Sequence, residues 1–301
     1  MSTGPAPHVS RRAVLVGGAS LAVLGACGND KKQVGSNEPR VTNPDGTKYS
    51  LVAFFDGANS VRAGVAQRVT FGLGDAQGAL VDSGPAELAI DVLSGSKVIA
   101  RTNPDRHRKG LSRGYYPVEF TPPKPGFYTA RTMIDGHPVE ASFQAARKVL
   151  IPQVGQSMVV ADTPTVADHR DVAPICTRSP ACPLHDLNLR DALGNGKPLA
   201  LLIATPAYCQ TAICGPVLDV LLSQRAEFGE RIQMIHAEVY ADGKTAAADI
   251  NKAKLAPALK AYRLPFEPAL FLSRADGKIA YRLDTIFDEV ELRAALQSMV
   301  A

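Results

Sequence analysis

Short stretches that alternate between apolar and polar positions recur along the chain from residue 47 to residue 147. Turn-forming runs separate them, among them Ala76-Gln77-Gly78 and Asp135-Gly136. A period of two is typical of half-buried strands, and Asp-Gly is typical of tight hairpins. Strands are predicted at 49–55, 67–73, 86–92, 97–101, 114–120, 126–134 and 137–143. Seven strands in about 100 residues favour an all-β sandwich over residues 47–147.

The pattern changes after residue 171, where apolar runs alternate with stretches of helical spacing. Strands are predicted at 199–205, 231–239, 269–273 and 278–283, and helices at 215–225, 246–262 and 288–300. Strands that alternate with helices predict an α/β fold for residues 171–301. Residues 148–170 have no clear period and are interpreted as the linker and entry arm of the next domain, which gives a two-domain chain.

The amino terminus has the pattern of an export signal. Arg11-Arg12 precedes an uncharged stretch of 14 residues, too short for a membrane span of about 20 helical residues. It ends in Leu24-Gly25-Ala26-Cys27, which resembles a bacterial lipobox. Residues 1–26 are therefore expected to be a twin-arginine lipoprotein signal peptide and Cys27 the lipidated residue. A plain signal peptide with an incidental cysteine is the alternative.

Lipidation would place the protein at the extracytoplasmic face of the cell membrane, because two or three acyl chains anchor stably. Residues 27–46 are poor in apolar side chains and are expected to be a flexible tether. The chain has 33 basic and 29 acidic side chains, and without Arg11 and Arg12 the counts are 31 and 29. With no basic stripe interleaved with aromatics, no nucleic-acid partner is expected. The basic cluster between Arg101 and Arg113 is interpreted as a solvated loop.

Beyond Cys27 the chain has four cysteines, Cys176, Cys182, Cys209 and Cys214. An even number in an exported protein predicts pairing, and proximity favours Cys176–Cys182 and Cys209–Cys214 among three connectivities. The first pair lies in a proline-containing loop and is interpreted as a structural disulfide. Its alternative role is a shuttle that exchanges with the second pair.

Residues 171–301 resemble thioredoxin in three segments. Residues 185–199 are similar to the lead-in of membrane-anchored thioredoxin-like and peroxiredoxin-like proteins, and Cys214-Gly215-Pro216 is similar to the thioredoxin active site. Residues 262–271 are similar to the segment that carries a cis-proline. The resemblance implies a thioredoxin-like fold, redox-active Cys209 and Cys214, a cis Pro268 against the cysteine loop, and Glu267 facing the cysteines.

A weaker resemblance concerns the first domain. Residues 115–128 contain a Pro-Gly corner before a tyrosine-bearing strand, as in bacterial immunoglobulin-like modules. This implies an immunoglobulin-like sandwich and no activity.

The spacing of the second cysteine pair departs from thioredoxin, because four residues separate Cys209 from Cys214 where redox-active thioredoxins have two. Either cysteine could therefore be the attacking one. Residues five apart on one helix lie about 140° apart around its axis, so Cys209 is expected in the loop and the helix no earlier than Cys214.

Together these patterns predict a membrane-anchored thioredoxin-like thiol–disulfide oxidoreductase. Its partners would be exported protein substrates or a redox partner, and no cofactor and no metal site are predicted. The alternative is a non-catalytic scaffold with structural disulfides, or a copper-handling lipoprotein of the Sco type. That type combines two loop cysteines with a distant histidine, for which His236 and His185 are candidates. Both histidines are interpreted as core or rim residues instead.

Overall fold

The structure is a computed structural model that describes residues 48–301. The predicted signal peptide, the lipidated Cys27 and the tether lie outside the described residues. Across the described part, no helix combines the length and the apolar character that a membrane span requires.

Seven strands form two antiparallel sheets in the first part of the structure. They are β1 (Ser50–Ala53), β2 (Gln67–Gly74), β3 (Ile90–Ser94), β4 (Lys97–Thr102), β5 (Tyr116–Phe120), β6 (Gly126–Ile134) and β7 (His137–Ala145), with a short helix α1 (Gly57–Ser60). One sheet has the order β1-β2-β5 and the other β4-β3-β6-β7. Each strand overlaps the stretch that the alternation predicts.

The two sheets share one aromatic core, which makes this part a β-sandwich. Phe71 of one sheet lies 6.1 Å from Phe143 of the other, and Phe120 lies 6.2 Å from Tyr128, centroid to centroid. The buried Tyr128 donates its hydroxyl hydrogen bond to the Lys124 carbonyl, four residues upstream. This bond fixes the corner that leads into β6.

The second part has the α/β order that the sequence predicts. Its elements are α2 (Leu189–Ala192), β8 (Leu199–Ile203), α3 (Cys214–Ser223), α4 (Arg225–Phe228), β9 (Gln233–Ala237), α5 (Gly243–Ala248), α6 (Pro257–Tyr262), β10 (Ala269–Ser273), β11 (Ile279–Asp284) and α7 (Glu289–Val300). The sheet order is β11-β10-β8-β9, with β8 parallel to β9 and antiparallel to β10. The predicted helix at 246–262 is interrupted, because α5 ends at Ala248 and α6 begins at Pro257.

Helices cover both faces of this sheet, so every residue of β8 is buried. One apolar cluster contains residues of β8, α3 and α7. The other contains residues of β8, α5 and α6 together with Ile151 and Met158. Residues 148–170, interpreted from the sequence as a linker, thus supply side chains to the α/β core.

Buried ionic contacts join the sandwich to the α/β part, and residues 48–301 belong to one compact unit. The Arg68 guanidinium binds the Glu291 carboxylate, with Nη2 2.6 Å from Oε2. Arg282 Nη2 donates to the Ser60 carbonyl over 2.9 Å. A cavity of about 580 Å³ lies beside these residues, and none of the four cysteines lines it.

Residues 107–109 of the basic loop between β4 and β5 belong to this contact, while the side chains of Arg108 and Lys109 are exposed, as expected of a solvated loop. His107 Nδ1 lies 2.9 Å from Asp288 Oδ1, and the backbone amides of Arg108 and Lys109 donate to Asp288 Oδ2 over 2.9 and 3.0 Å. Asp288 also caps α7 by accepting from the Glu291 amide at 2.9 Å. A carboxylate 180 residues away in the sequence therefore holds the loop.

Candidate functional site

Cys209 and Cys214 lie where β8 leads into α3. Cys209 is in the loop and partly exposed, while Cys214 is the first residue of α3 and fully buried. The Cys214 amide donates to the Cys209 sulfur over 3.3 Å, and the Thr211 hydroxyl lies at the same distance. The sulfur of Cys209 thus faces the amino-terminal end of a helix of 10 residues, where the helix dipole favours negative charge.

These contacts give the two sulfurs opposite properties. The hydrogen bond from the Cys214 thiol, followed by those from Thr211 and the backbone amides of residues 214 and 213, lowers the pKa of Cys209 to about 5. Burial raises the pKa of Cys214 well above its ordinary value, and the Cys209 and Glu267 charges act in the same direction. Cys209 is therefore the thiolate near neutral pH, and Cys214 is the protonated thiol beside it.

Glu267 and Pro268 lie next to this pair in the sheet. The peptide bond between them is cis, as the thioredoxin resemblance implies. Pro268 immediately precedes β10, where Ala269 pairs with Ile203 of β8. This register places Pro268 beside Ala204, at the start of the cysteine loop. Glu267 is half-buried, and its charge reaches the Cys214 sulfur.

A second group of side chains lies next to Ala204, where the segment that leads to Cys209 begins. It consists of Cys176, Cys182, His185 and His236, all buried, whose ligand atoms lie within 4.8 Å of one another. We call these four residues the Cys2His2 cluster. His236 is on β9, on the sheet face that also carries Ala204, and the other three are on the arm of residues 172–185.

Backbone hydrogen bonds hold this arm along β9. The Ala173 amide donates to the Ala241 carbonyl over 2.9 Å, and the His236 amide donates to the Leu184 carbonyl over 3.1 Å. Between these points the Arg178 guanidinium binds Asp219 on α3, with Nε 2.7 Å from Oδ1. The arm is thus fixed at both ends and in the middle, although its sequence has no strand or helix periodicity.

The Cys2His2 cluster is joined to the segment that leads to Cys209. His236 Nε2 lies 3.1 Å from the Ala204 carbonyl, so this nitrogen carries the ring proton and donates it. The Thr177 hydroxyl accepts from the Ala207 amide over 3.1 Å and donates to the buried Glu238 carboxylate over 2.8 Å. Burial raises the pKa of Glu238 despite these hydrogen bonds.

In this structure the four described cysteines are free, so neither predicted disulfide is formed. The pairing stays a prediction for the oxidised protein. The histidine of a Sco-type copper site is not supplied to Cys209 and Cys214, because both His185 and His236 face Cys182, at 3.3 and 3.4 Å from its sulfur.

Sequence reasoning pairs Cys176 with Cys182 and treats His185 and His236 apart from them, so it does not bring the four together. The one available signal was Cys182-Pro183-Leu184-His185, a cysteine and a histidine three residues apart. It does not show that the arm meets β9 at His236, 51 residues later.

Comparisons with known proteins give little further information. No protein-family model matches the chain, and no curated protein matches it. A solution structure of a thioredoxin-like protein from Porphyromonas gingivalis is similar over 50% of this chain and 94% of its own length. The identity is 17% and the TM-score 0.30, too low for that likeness to establish the fold or the function.

Proposed function

We propose that the chain is a thioredoxin-like thiol–disulfide oxidoreductase in which Cys209 attacks and Cys214 resolves. The observation that carries the proposal is the pairing of a partly exposed thiolate with a buried thiol at the start of α3. An attacking sulfur needs access and negative charge, and a resolving sulfur needs only proximity. The proposal therefore takes Cys209, rather than Cys214, as the attacking cysteine.

The proposed exchange consumes one disulfide and produces another. The Cys209 thiolate attacks one sulfur of a client disulfide, which forms a mixed disulfide and releases the other client sulfur as a thiolate. Cys214 then loses its proton, and Glu267 is the acceptor that we assign. The Cys214 sulfur attacks Cys209, so the second client thiolate leaves and a Cys209–Cys214 disulfide remains. Two electrons pass to the client, and a dithiol reductant must return them; the reverse sequence oxidises a client dithiol.

Clients would be exported proteins or a dedicated redox partner, reached from the outer face of the cell membrane. The twin-arginine pattern and the lipobox-like tetrad ending at Cys27 support this location. An immunoglobulin-like sandwich would present the redox part. The strand order β1-β2-β5 facing β4-β3-β6-β7 and the Tyr128–Lys124 corner bond support that assignment.

Trapping with a small disulfide tests the order of attack. The reduced mature protein and its variants Cys209→Ser and Cys214→Ser are incubated with glutathione disulfide, and the modified peptide is identified by mass spectrometry. Cys214→Ser is expected to retain glutathione on Cys209, because the resolving sulfur is absent. The unmodified protein should end with a Cys209–Cys214 disulfide, and Cys209→Ser should stay unmodified.

Two further measurements accompany the glutathione experiment, namely the rate of insulin reduction and the reduction potential of the Cys209–Cys214 pair. The double variant Cys209→Ser/Cys214→Ser is expected to reduce insulin disulfides no faster than dithiothreitol alone. A glutathione adduct on Cys214 but not on Cys209 would reverse the assignment. A reduction potential well below about −300 mV would mark a structural disulfide and exclude the exchange.

A further inference from the structure

The Cys2His2 cluster has the donor set and spacing of a tetrahedral metal site. A tetrahedral Zn²⁺ ion binds sulfur at about 2.3 Å and imidazole nitrogen at about 2.0–2.1 Å, which places neighbouring ligand atoms roughly 3.3–3.8 Å apart. Cys182 Sγ lies 3.3 Å from His185 Nε2 and 3.4 Å from His236 Nδ1. The two nitrogens lie 3.4 Å from each other. Three of the edges thus have the lengths that a central ion would impose.

A hydrogen bond beside the cluster fixes the orientation of one of its two imidazoles. The Nε2–H group of His236 donates to the Ala204 carbonyl, so Nδ1 presents a lone pair to the cluster. A histidine ligand whose other nitrogen donates to a backbone carbonyl is a common feature of metal sites. The Cys182 amide donates to Cys176 Sγ over 3.3 Å, which favours a thiolate ligand.

Burial and charge indicate which metal ion the cluster would bind. The four side chains are 7, 5, 2 and 0% exposed in sequence order, so no face of the cluster is open to solvent. Two thiolates neutralise a divalent cation, and a neutral assembly costs less to bury than separate charges. A closed set of two sulfur and two nitrogen ligands is characteristic of structural zinc, whereas a catalytic zinc site keeps an open position.

We propose that Cys176, Cys182, His185 and His236 bind one Zn²⁺ ion that clamps the arm of residues 172–185 onto β9. The ion binds the reduced thiols and takes the place of the predicted Cys176–Cys182 disulfide. It requires no exchange chemistry at Cys209 and Cys214, and the test leaves those two cysteines out. Through the hydrogen bond between His236 and Ala204, the clamp also supports the segment that leads to Cys209.

Metal titration of the mature Cys209→Ser/Cys214→Ser protein tests the site. After reduction and removal of metal, the protein is expected to bind one equivalent of Zn²⁺ by elemental analysis. Co²⁺ should give the visible absorption of a tetrahedral ion and a thiolate-to-cobalt charge-transfer band. Zn²⁺ should also protect the thiols of Cys176 and Cys182 from alkylation, and a chelator should restore their reactivity.

Histidine variants in the same background assign the ligands. His236→Gln is expected to weaken Zn²⁺ binding by at least about 10-fold, because even the loss of a second-shell partner costs roughly 10–100-fold. His169→Gln is the matched control, since His169 is exposed and outside the cluster. Circular dichroism of the metal-free variants separates lost ligation from misfolding.

Three results would overturn the zinc site. The first is absence of Zn²⁺ and Co²⁺ binding by the reduced, folded protein. The second is a Cys176–Cys182 disulfide that forms in the presence of excess Zn²⁺. The third is equal metal affinity of the His236→Gln and His169→Gln proteins. Each of these leaves the glutathione trap at Cys209 unaffected, so the two proposals fail separately.

Discussion

At the scale of single residues, the contrast between Cys209 and Cys214 results from where α3 begins. Helix α3 begins at Cys214, so the thiol of Cys214 is directed into the core and its amide points back at Cys209. The longer spacing between the cysteines therefore still gives one accessible and one protected sulfur. The pKa of Cys209 is lowered and that of Cys214 is raised because the backbone between them places one sulfur at the start of the helix and the other in the core.

The pH dependence of Cys209 alkylation follows from this arrangement. In the reduced protein the rate should be constant at neutral pH and fall by half near pH 5, since the pKa of Cys209 is lowered to about 5. An ordinary thiol would lose reactivity already below about pH 8.5. The rate is measured with iodoacetamide by mass spectrometry of the peptide that contains Cys209.

Replacing the donor tests the cause of that low pKa. Cys214→Ala removes the largest stabilising hydrogen bond, worth about 1.5–3 kcal/mol to a charged acceptor, and should move the midpoint up by roughly 1–2 pH units. Cys214→Ser retains a hydroxyl donor and should move it less. Equal midpoints in all three proteins would contradict this explanation.

At the scale of elements, α7 depends on a residue that also binds another part of the chain. Asp288 caps its amino terminus and accepts two amide hydrogen bonds from the loop after β4. Burial opposes ionisation of Asp288, yet the hydrogen bonds from His107 and the backbone amides keep its pKa below the ordinary value. The cap therefore stays charged to a lower pH than an ordinary aspartate.

Substitution of two of the aspartate caps, Asp288 and Asp242, should separate these roles. Asp288→Ala is expected to lower the free energy of unfolding by about 3 kcal/mol, because a cap contributes about 1 kcal/mol and the Arg108 and Lys109 amides lose their acceptor. Asp242→Ala removes an exposed cap that serves only α5, and should cost about 1 kcal/mol. Urea denaturation measures both, and equal losses would show that the loop contact adds nothing.

The sequence predicts the positions of helices and strands better than it predicts which segments contact one another. Asp135-Gly136 between two alternating runs locates the hairpin of β6 and β7, and Asp288 before an amphipathic run locates α7. These signals are local. The loop held by Asp288 and the histidine met by the arm depend on partners far away in the chain. No period marks such contacts, so the sequence predicts neither the contact of the basic loop with Asp288 nor the Cys2His2 cluster.

At the scale of the whole molecule, a few buried charges hold the sandwich to the α/β part. Arg68 on β2 binds Glu291 on α7, and their side chains are only 7 and 16% exposed. The Tyr115 hydroxyl donates to the same carboxylate. A buried ion pair of this kind stabilises little relative to an apolar pair, but the loss of one partner leaves an uncompensated charge.

Variants of the Arg68–Glu291 pair should show that losing one partner costs more stability than replacing both. Arg68→Ala is expected to lower the free energy of unfolding by about 3–5 kcal/mol, and Arg68→Met/Glu291→Leu by less. Arg131→Ala, which removes an exposed pair with Glu140 on the sandwich, should cost less than about 1 kcal/mol. A cost for Arg68→Ala that is no greater than for Arg131→Ala would mean that the contact does not hold the two parts together.

Two carboxylates at the start of α7 bind side chains of the sandwich, and this limits how the two parts of the protein can be exchanged with other proteins. Asp288 and Glu291 belong to the α/β part, whereas His107 and Arg68 belong to the sandwich. Grafting the α/β part onto another carrier would leave the Asp288 and Glu291 carboxylates without His107 and Arg68, at a surface that is buried in this structure. The two parts must therefore be exchanged as a matched pair.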